Sequence, residues 1–330
     1  MATKDQVEQK LDEVLVPMVT RSIMQMNLLR GVDINNSQMK ITLSNAALDA
    51  DVQDWIKKEI QGKLQGTEGI DVVNVDFEEC KPHDINQVGK VVGVMSGKGG
   101  VGKSLVSGLL AVAMQRQGKA VGILDSDITG PSIPKMFGVS GRPAGSDTGL
   151  LPVPTKSGIE TISINFLLPN EDDAVIWRGP LISKSIQQFW EDVLWGKLDY
   201  MFVDMPPGTA DVPLTVMQSL PLSGVIIAFT PQDLTAMVVR KAVNMAKQMN
   251  VPVLGLVENM SYFVVPETGS KIEIFGESQV GRMAAATGSP VLGQIPLDPE
   301  LARLCDKGEI EKYDSDAFKE FQEAATRVLS

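Results

Sequence analysis

From Lys90 onward, short β-branched runs alternate with longer segments whose apolar residues recur at helical spacing. VVGVM, AVGILD, YMFVD, GVIIAFT, PVLGLVE and PVLGQIP have the length and composition of strands buried on both faces. KSLVSGLLAVAMQRQ, after the first of them, reads as a helix. This alternation predicts a mostly parallel sheet with helices on both sides. Ligand-binding residues gather at the carboxyl ends of the strands in such sheets. The stretch from about 141 to 176 has no regular period. Before Lys90 the pattern changes. Residues 5–30 read as helical, and VDINNSQMKITLS predicts two strands about an Asn-Asn-Ser turn, with Met39, Ile41 and Leu43 alternating against polar neighbours. DVQDWIKKEIQGKL spaces Val52, Ile56, Ile60 and Leu64 as a helix, and IDVVNVDFE alternates as a strand. The expected organisation is a small α+β domain over 1–80, a polar linker, KPHDINQVG, over 81–89, and an α/β domain over 90–330.

The 330 residues are long for one core, in keeping with two domains, and 43% hydrophobic residues imply a globular chain. A net charge of −11 and a pI of about 4.7 argue against nucleic-acid or anionic-membrane partners, which favour basic surfaces. The start, MATKDQVEQKLDEV, lacks the basic and apolar stretches of a signal peptide, and no apolar run approaches the roughly 20 residues of a membrane span. Cys80 and Cys305 make no disulfide framework. A cytoplasmic location is the expectation.

Residues 91–104, VVGVMSGKGGVGKS, carry the clearest chemistry. Gly97, Gly102, Lys103 and Ser104 satisfy the G-x-x-x-x-G-K-[ST] phosphate loop. Its glycines let successive N–H groups of Gly97, Lys98, Gly99, Gly100, Val101 and Gly102 turn inward on a phosphate, and the following helix adds its positive end. Lys103 would reach the terminal phosphates and the Ser104 hydroxyl would hold Mg²⁺. A second lysine, Lys98, is either a solvated surface residue or a cation placed where transition-state charge develops.

Further along, carboxylates end two of the expected strands. Asp125 and Asp127 in ILDSDITGPS are either turn residues or, near the bound nucleotide, a Mg²⁺-holding arm (Asp125) and the group that orients the attacking water (Asp127). Asp204 in YMFVDMPPGT is either a helix cap or the second metal arm, acting through metal-bound water, and Gly208 could offer its N–H to a γ-phosphate. Asn259 in LVENMSYF either bonds local backbone or pairs with the N6 and N7 edge of adenine. The loop at Pro296 could wall the base. ATP and GTP are not separated by the residues alone, although no guanine-reading N-K-x-D element occurs. Trp177 and Arg178 of WRGP read as a surface anchor, and His83, the only histidine, as an unexceptional linker residue.

SGKGGVGKS, DSDITGPS, WRGP, VDMPPGT, ENMSYF, EIFG and IPLDP, in this order over about Lys90 to Pro299, resemble the Mrp/ApbC-type ATPases. These belong to the MinD-like deviant-Walker P-loop group. Residues 1–80 resemble, more weakly, the small domain that often precedes the ATPase there. The resemblance implies a P-loop NTPase fold, hydrolysis of ATP with Mg²⁺, a homodimer in which Lys98 acts across the interface, and carriage of an iron–sulfur cluster from scaffold to acceptor apoproteins. It agrees with the roles given for Lys98, Lys103, Ser104, Asp127, Asp204 and Asn259. Two departures concern the cluster. Val265, Pro266, Glu267 and Thr268 stand where many members read C-P-x-C, and SNAALDAD offers Leu48 or a neighbour where the small domain often has a cysteine. Neither hydrophobe nor threonine replaces a thiolate on iron. The expected function is therefore a dimeric ATPase of iron–sulfur cluster assembly with direct ligation weakened. The alternatives are a regulatory ATPase of the partition or cell-division kind, which the acidic charge does not favour, and a non-catalytic scaffold, against which Lys98, Asp127 and Asp204 argue.

Overall fold

The computed structural model describes residues 4–35, 37–67, 69–127, 130, 132–167, 179–232 and 234–330, with the backbone alone at 179–183 and 234–236. It separates into two units: one of Met1–Gly89, Arg142–Pro154 and Gln188–Leu198, the other of Lys90–Gly141, Thr155–Gln187 and Asp199–Ser330.

The first unit contains α1 (Lys4–Leu11), β1 (Leu29–Asn35), β2 (Gln38–Ser44), α2 (Ala50–Leu64) and β3 (Val72–Glu78), with sheet order β1–β2–β3. β1 and β2 are antiparallel, Asn35 opposite Gln38; Asn36 of the expected turn lies outside the described residues. β2 and β3 are parallel, a pairing that needs a crossover, and α2 supplies it. Asp49 caps α2 by accepting from Val52 N at 2.8 Å. Ile56, Ile60 and Leu64 of α2 share a core with Met39, Ile41 and Leu43 of β2, all fully buried. Each contributes about 1.5–3 kcal/mol by burial.

Three expectations change here. The helix expected over 5–30 ends at Leu11, and the rest folds as a packed loop with Val14, Val16, Val19, Ile23, Met26 and Leu28 buried. Its apolar spacing imitates a helix, but Pro17 removes a helical donor and Met18 turns into the left-handed region at φ 68°. Arg21, 7% exposed, then anchors the loop by donating to the carbonyls of Trp195 and Gln25, both at 3.0 Å, and of Lys197. The expected linker over 81–89 is also packed: Pro82–Ile85 forms one helical turn and Ile85 joins the core. That core includes Leu151 and Leu194, so two segments that the sequence places in the C-terminal domain belong with the smaller unit. Leu48 is buried in it, a hydrophobic residue in a hydrophobic role.

The second unit is built on β4 (Gln87–Ser96), α3 (Lys103–Arg116), β5 (Val121–Asp125), β6 (Glu160–Ser163), β7 (Lys197–Asp204), α4 (Asp211–Ser219), β8 (Gly224–Phe229), α5 (Leu234–Gln248), β9 (Val253–Asn259), α6 (Val280–Thr287), β10 (Val291–Ile295), α7 (Pro299–Asp306) and α8 (Asp316–Leu329). Its strands lie in the order β10–β9–β8–β4–β7–β5–β6. The pairs β10/β9, β9/β8, β8/β4, β7/β5 and β5/β6 are parallel. Each strand read from the sequence is present, and β6 emerges from the unpatterned stretch. Val92, Val94, Ile123, Phe202 and Ile226 of the sheet pack with Val106, Leu109 and Leu110 of α3 and Phe318 and Phe321 of α8. This core fixes the strand ends, and the polar residues sit at those ends. Trp177 and Arg178 lie outside the described residues.

Candidate nucleotide-binding site

The phosphate loop runs from the end of β4 into the start of α3, and local sterics set its glycines. A Cβ at Gly97 would lie 1.9 Å from Val238 Cγ1 of α5. Gly102 has φ +78°, and a Cβ there would lie 2.1 Å from Asn259 Nδ2. Gly99 and Gly100, by contrast, face open space, which leaves room for a phosphate at the N-terminus of α3.

Three carboxylates converge beside this loop. Asp204 and Asp125 are register partners at the ends of the parallel strands β7 and β5, and Asp127 follows two residues on. Asp204 is fully buried, Asp125 and Asp127 nearly so. Lys103, itself buried, places Nζ 2.6 Å from Asp204 Oδ1 and 3.4 Å from Asp127 Oδ2. Ser104 Oγ donates to Asp204 Oδ2 at 2.5 Å. Burial pushes the Lys103 ammonium down, but Asp204, Asp127 and Asp125 outweigh it and hold it above the ordinary lysine value. Asp125 is raised well above the carboxylate range, first by burial and then by the charge of Asp204, with Lys103 and Ser163 opposing. One lysine thus serves three acids, an excess of negative charge that a further cation would relieve. The open loop fits phosphate.

The base end is built differently. Asn259 and Ile295 are register partners on β9 and β10, so buried Pro296 follows directly beside Asn259. Asn259 Nδ2 donates to the Val101 carbonyl of the phosphate loop at 2.9 Å. Its Oδ1 is buried with no hydrogen-bond partner. An unpaired buried acceptor is costly, and an exocyclic amine such as adenine N6 would satisfy it.

Lys98 stands apart from the carboxylates. Its Nζ donates to Gln232 Oε1 at 2.7 Å, on the segment after β8. Gly208 does not hold a free N–H for a γ-phosphate: that group donates to the Ser96 carbonyl at 3.0 Å, tying the loop after β7 to β4.

Several contributors escape a motif reading. Ser107, one helical turn after Lys103, donates to Asp204 Oδ1 at 2.8 Å. Ser126 N and Oγ donate to the Asp204 carbonyl at 3.0 and 2.7 Å, and Ser163 Oγ to Asp125 Oδ2 at 3.0 Å. The four-residue spacing in KSLVS is the one signal that could have revealed Ser107; Ser163 has none. Cys305 is half-buried on α7, and burial followed by Asp306 pushes its thiol up to about 11, so it offers little thiolate. Among the described residues, no helix is long and apolar enough to cross a membrane.

Comparison with known proteins agrees with this architecture. Residues 87–329 match the NUBPL iron-transfer P-loop NTPase family, and residues 4–77 match a family described as iron–sulfur cluster assembly protein. The chain is similar to the iron–sulfur cluster carrier protein of Methanocaldococcus jannaschii, 46% identical over 72% of this chain and 82% of that one. Similarity to the carrier protein of Synechocystis sp. is 37% over 93% and 91% of the two chains. Among solved structures, an ADP-bound nucleotide-binding protein from Archaeoglobus fulgidus superposes with a TM-score of 0.64 at 48% identity, covering 70% of this chain and 91% of that one. The Mg-ADP complex of the septum site-determining protein MinD from Pyrococcus horikoshii shares the fold at 20% identity, with a TM-score of 0.51 over 73% and 96% of the two chains. The phosphate loop, the in-register aspartates and these matches together show that the chain belongs to the iron-transfer P-loop NTPase family, with a small iron–sulfur assembly domain ahead of the NTPase.

Proposed function

We propose that the protein is a Mg²⁺-dependent ATPase that works as a homodimer in the assembly of iron–sulfur clusters or their transfer to acceptor apoproteins in the cytoplasm. The observation that carries the reading is the meeting of Lys103, Ser104, Asp125, Asp127 and Asp204 beside an open phosphate loop. Backbone N–H groups of 97–102 would cradle the β- and γ-phosphates. Lys103 would exchange Asp204 for them, and Ser104, Asp125 and Asp204 would hold Mg²⁺, the aspartates partly through water. Bound Mg²⁺ neutralises charge that develops on the phosphoryl group. Asp127 orients the attacking water, Asn259 and Pro296 hold the adenine, and Lys98 of a second copy crosses a two-fold interface once released from Gln232.

The cluster is cargo in this reading, and partner proteins hold it. Val265, Pro266, Glu267 and Thr268 offer no thiolate, and Cys305 is held as a thiol. Anaerobic purification with iron, sulfide and ATPase measurements tests the whole scheme. We expect ATP turnover without stoichiometric cluster. Stoichiometric cluster that disappears in Cys80→Ser or Cys305→Ser would restore direct carriage. For the interface, Lys98→Ala protein is mixed with Lys103→Ala protein. Partial recovery of hydrolysis supports a lysine acting in trans, and none despite demonstrated heterodimers counts against it.

A further inference from the structure

Glu258 is fully buried at the end of β9, immediately before Asn259, and the scheme above gives it no task. Four donors surround its carboxylate. Oε2 accepts from Ser261 Oγ at 2.5 Å, Ser278 Oγ at 2.7 Å and Gln294 Nε2 at 2.9 Å, while Oε1 accepts from Gln279 N at 2.7 Å. A carboxylate only accepts, and this shell gives Oε2 three donors and Oε1 one. Gln294 Nε2 also lies 2.7 Å from Ser261 Oγ and 2.8 Å from Ser278 Oγ, which closes the network.

The positions of these partners give the network a direction. Ser261 opens, and Ser278 and Gln279 close, an excursion between β9 and α6. One carboxylate therefore gathers both ends of the excursion. Between them, Phe263–Val264 pairs with Lys271–Ile272, and Val264, Ile272 and Ile274 are 39%, 50% and 51% exposed. On the other side, Gln294 is the register partner of Glu258 on β10, two residues before Pro296. Leu297 N donates to the Tyr262 carbonyl at 2.8 Å, a second tie between the base loop and the excursion. Glu258 also takes the N–H of Gln279, the N-cap residue of α6, where a negative group is favoured.

We propose that Glu258 is a positioning residue that couples the base pocket to the excursion 262–277, so that nucleotide occupancy sets how firmly this apolar-tipped surface is held. The proposal rests on the nucleotide reading above. A base that engages Asn259 and Pro296 fixes the ends of β9 and β10. Glu258 and Gln294, side by side on those strands, pass that constraint to Ser261, Ser278 and Gln279. The exposed tip thereby becomes a surface whose order reports the nucleotide state.

The test is hydrogen exchange of the full-length protein over 262–279, with and without saturating Mg²⁺ and a non-hydrolysable ATP analogue. Binding is measured independently with a fluorescent nucleotide. In the wild type we expect nucleotide to slow exchange across 262–279 by about tenfold, an effect of local opening. Glu258→Gln, at nucleotide concentrations that saturate the variant, should lose this nucleotide-dependent slowing. Ser278→Ala, which removes one donor of four and preserves the carboxylate, should show a reduced slowing and covers the case of a misfolded Glu258→Gln. A residue that only staples the fold would speed exchange equally with and without nucleotide, and that outcome overturns the coupling. So does a wild-type protein that binds nucleotide with no change in 262–279. A wild-type protein that binds no nucleotide overturns the nucleotide reading and the coupling with it.

Discussion

The phosphate end and the base end of the site lie at the carboxyl ends of strands in the same sheet and solve opposite problems. At the phosphate end, Lys103, Ser104 and Ser107 are all directed onto Asp204, so this carboxylate is engaged before any ligand arrives. At the base end, Asn259 donates from its amide to the Val101 carbonyl and keeps a buried acceptor without a partner. The first arrangement must be displaced by its ligand; the second must be completed by one. A buried charge left alone is far more costly than a buried amide oxygen left alone, so only the neutral end can be kept open. Affinity at the phosphate end is therefore a difference between two strong ionic states. At the base end it is a direct gain of about one hydrogen bond.

The largest effect should come from Lys103→Ala. Mg-ATP binding should fall by at least about 100-fold in titration calorimetry, since the cation facing the phosphates is lost. Thermal unfolding should show about 3–5 kcal/mol of destabilisation, because Asp204 is left buried without its counter-charge. Lys103→Ala with Asp204→Asn sharpens the comparison: stability should return while binding does not. If stability stays low, the ionic exchange drawn for this end is wrong.

Next in size is Asp127→Ala. Binding should stay within a few-fold of the wild type, while single-turnover hydrolysis drops by about 10²–10⁴-fold through the loss of water positioning. Equal loss of both would move Asp127 from the water to the binding of nucleotide.

Asn259→Ala should be milder, about tenfold weaker for ATP by equilibrium binding, the value of roughly one hydrogen bond to a buried group. The variant should also discriminate less between ATP and GTP. A loss as large as that of Lys103→Ala would break the contrast between the two ends.

The smallest expected effect is a pH dependence. Asp125 has a folded-state pKa raised above its unfolded value, so its contribution to stability is fully present below the ordinary carboxylate pKa of about 4. That contribution is lost as pH rises through the raised value. The melting temperature of ligand-free wild type should fall relative to Asp125→Asn over this range. Parallel pH profiles for the two proteins would remove Asp125 from the strained acidic cluster.

How far the sequence carried each of these residues follows from the range of the interactions involved. Lys103 and Ser104 are legible because the phosphate loop is a local object whose glycines, lysine and serine act within a few residues of one another. Asp125 and Asp204 are legible as strand ends, and their pairing needs only the parallel register of β5 and β7. Ser163 was out of reach, since it meets Asp125 from a strand in a stretch with no period. The same holds for Arg21. Apolar spacing over 5–30 suggests a helix, but two of the carbonyls that hold Arg21, those of Trp195 and Lys197, belong to residues far along the chain. Leu151 and Leu194 likewise join the small core from segments that follow the phosphate loop.

By itself the sequence determined six strands of the NTPase and the helix after the first, the identity of the phosphate loop and the absence of cysteines at 265–268, because each is written in local periodicity or residue chemistry. Only the tertiary structure decided which groups spend their charge on one another. Lys103 rests on Asp204, Lys98 on Gln232, and Glu258 gathers Ser261, Ser278, Gln279 and Gln294. Burial of a charge requires a partner at hydrogen-bond distance, and a partner on another strand or across a loop is chosen by strand order and register, which no local pattern records.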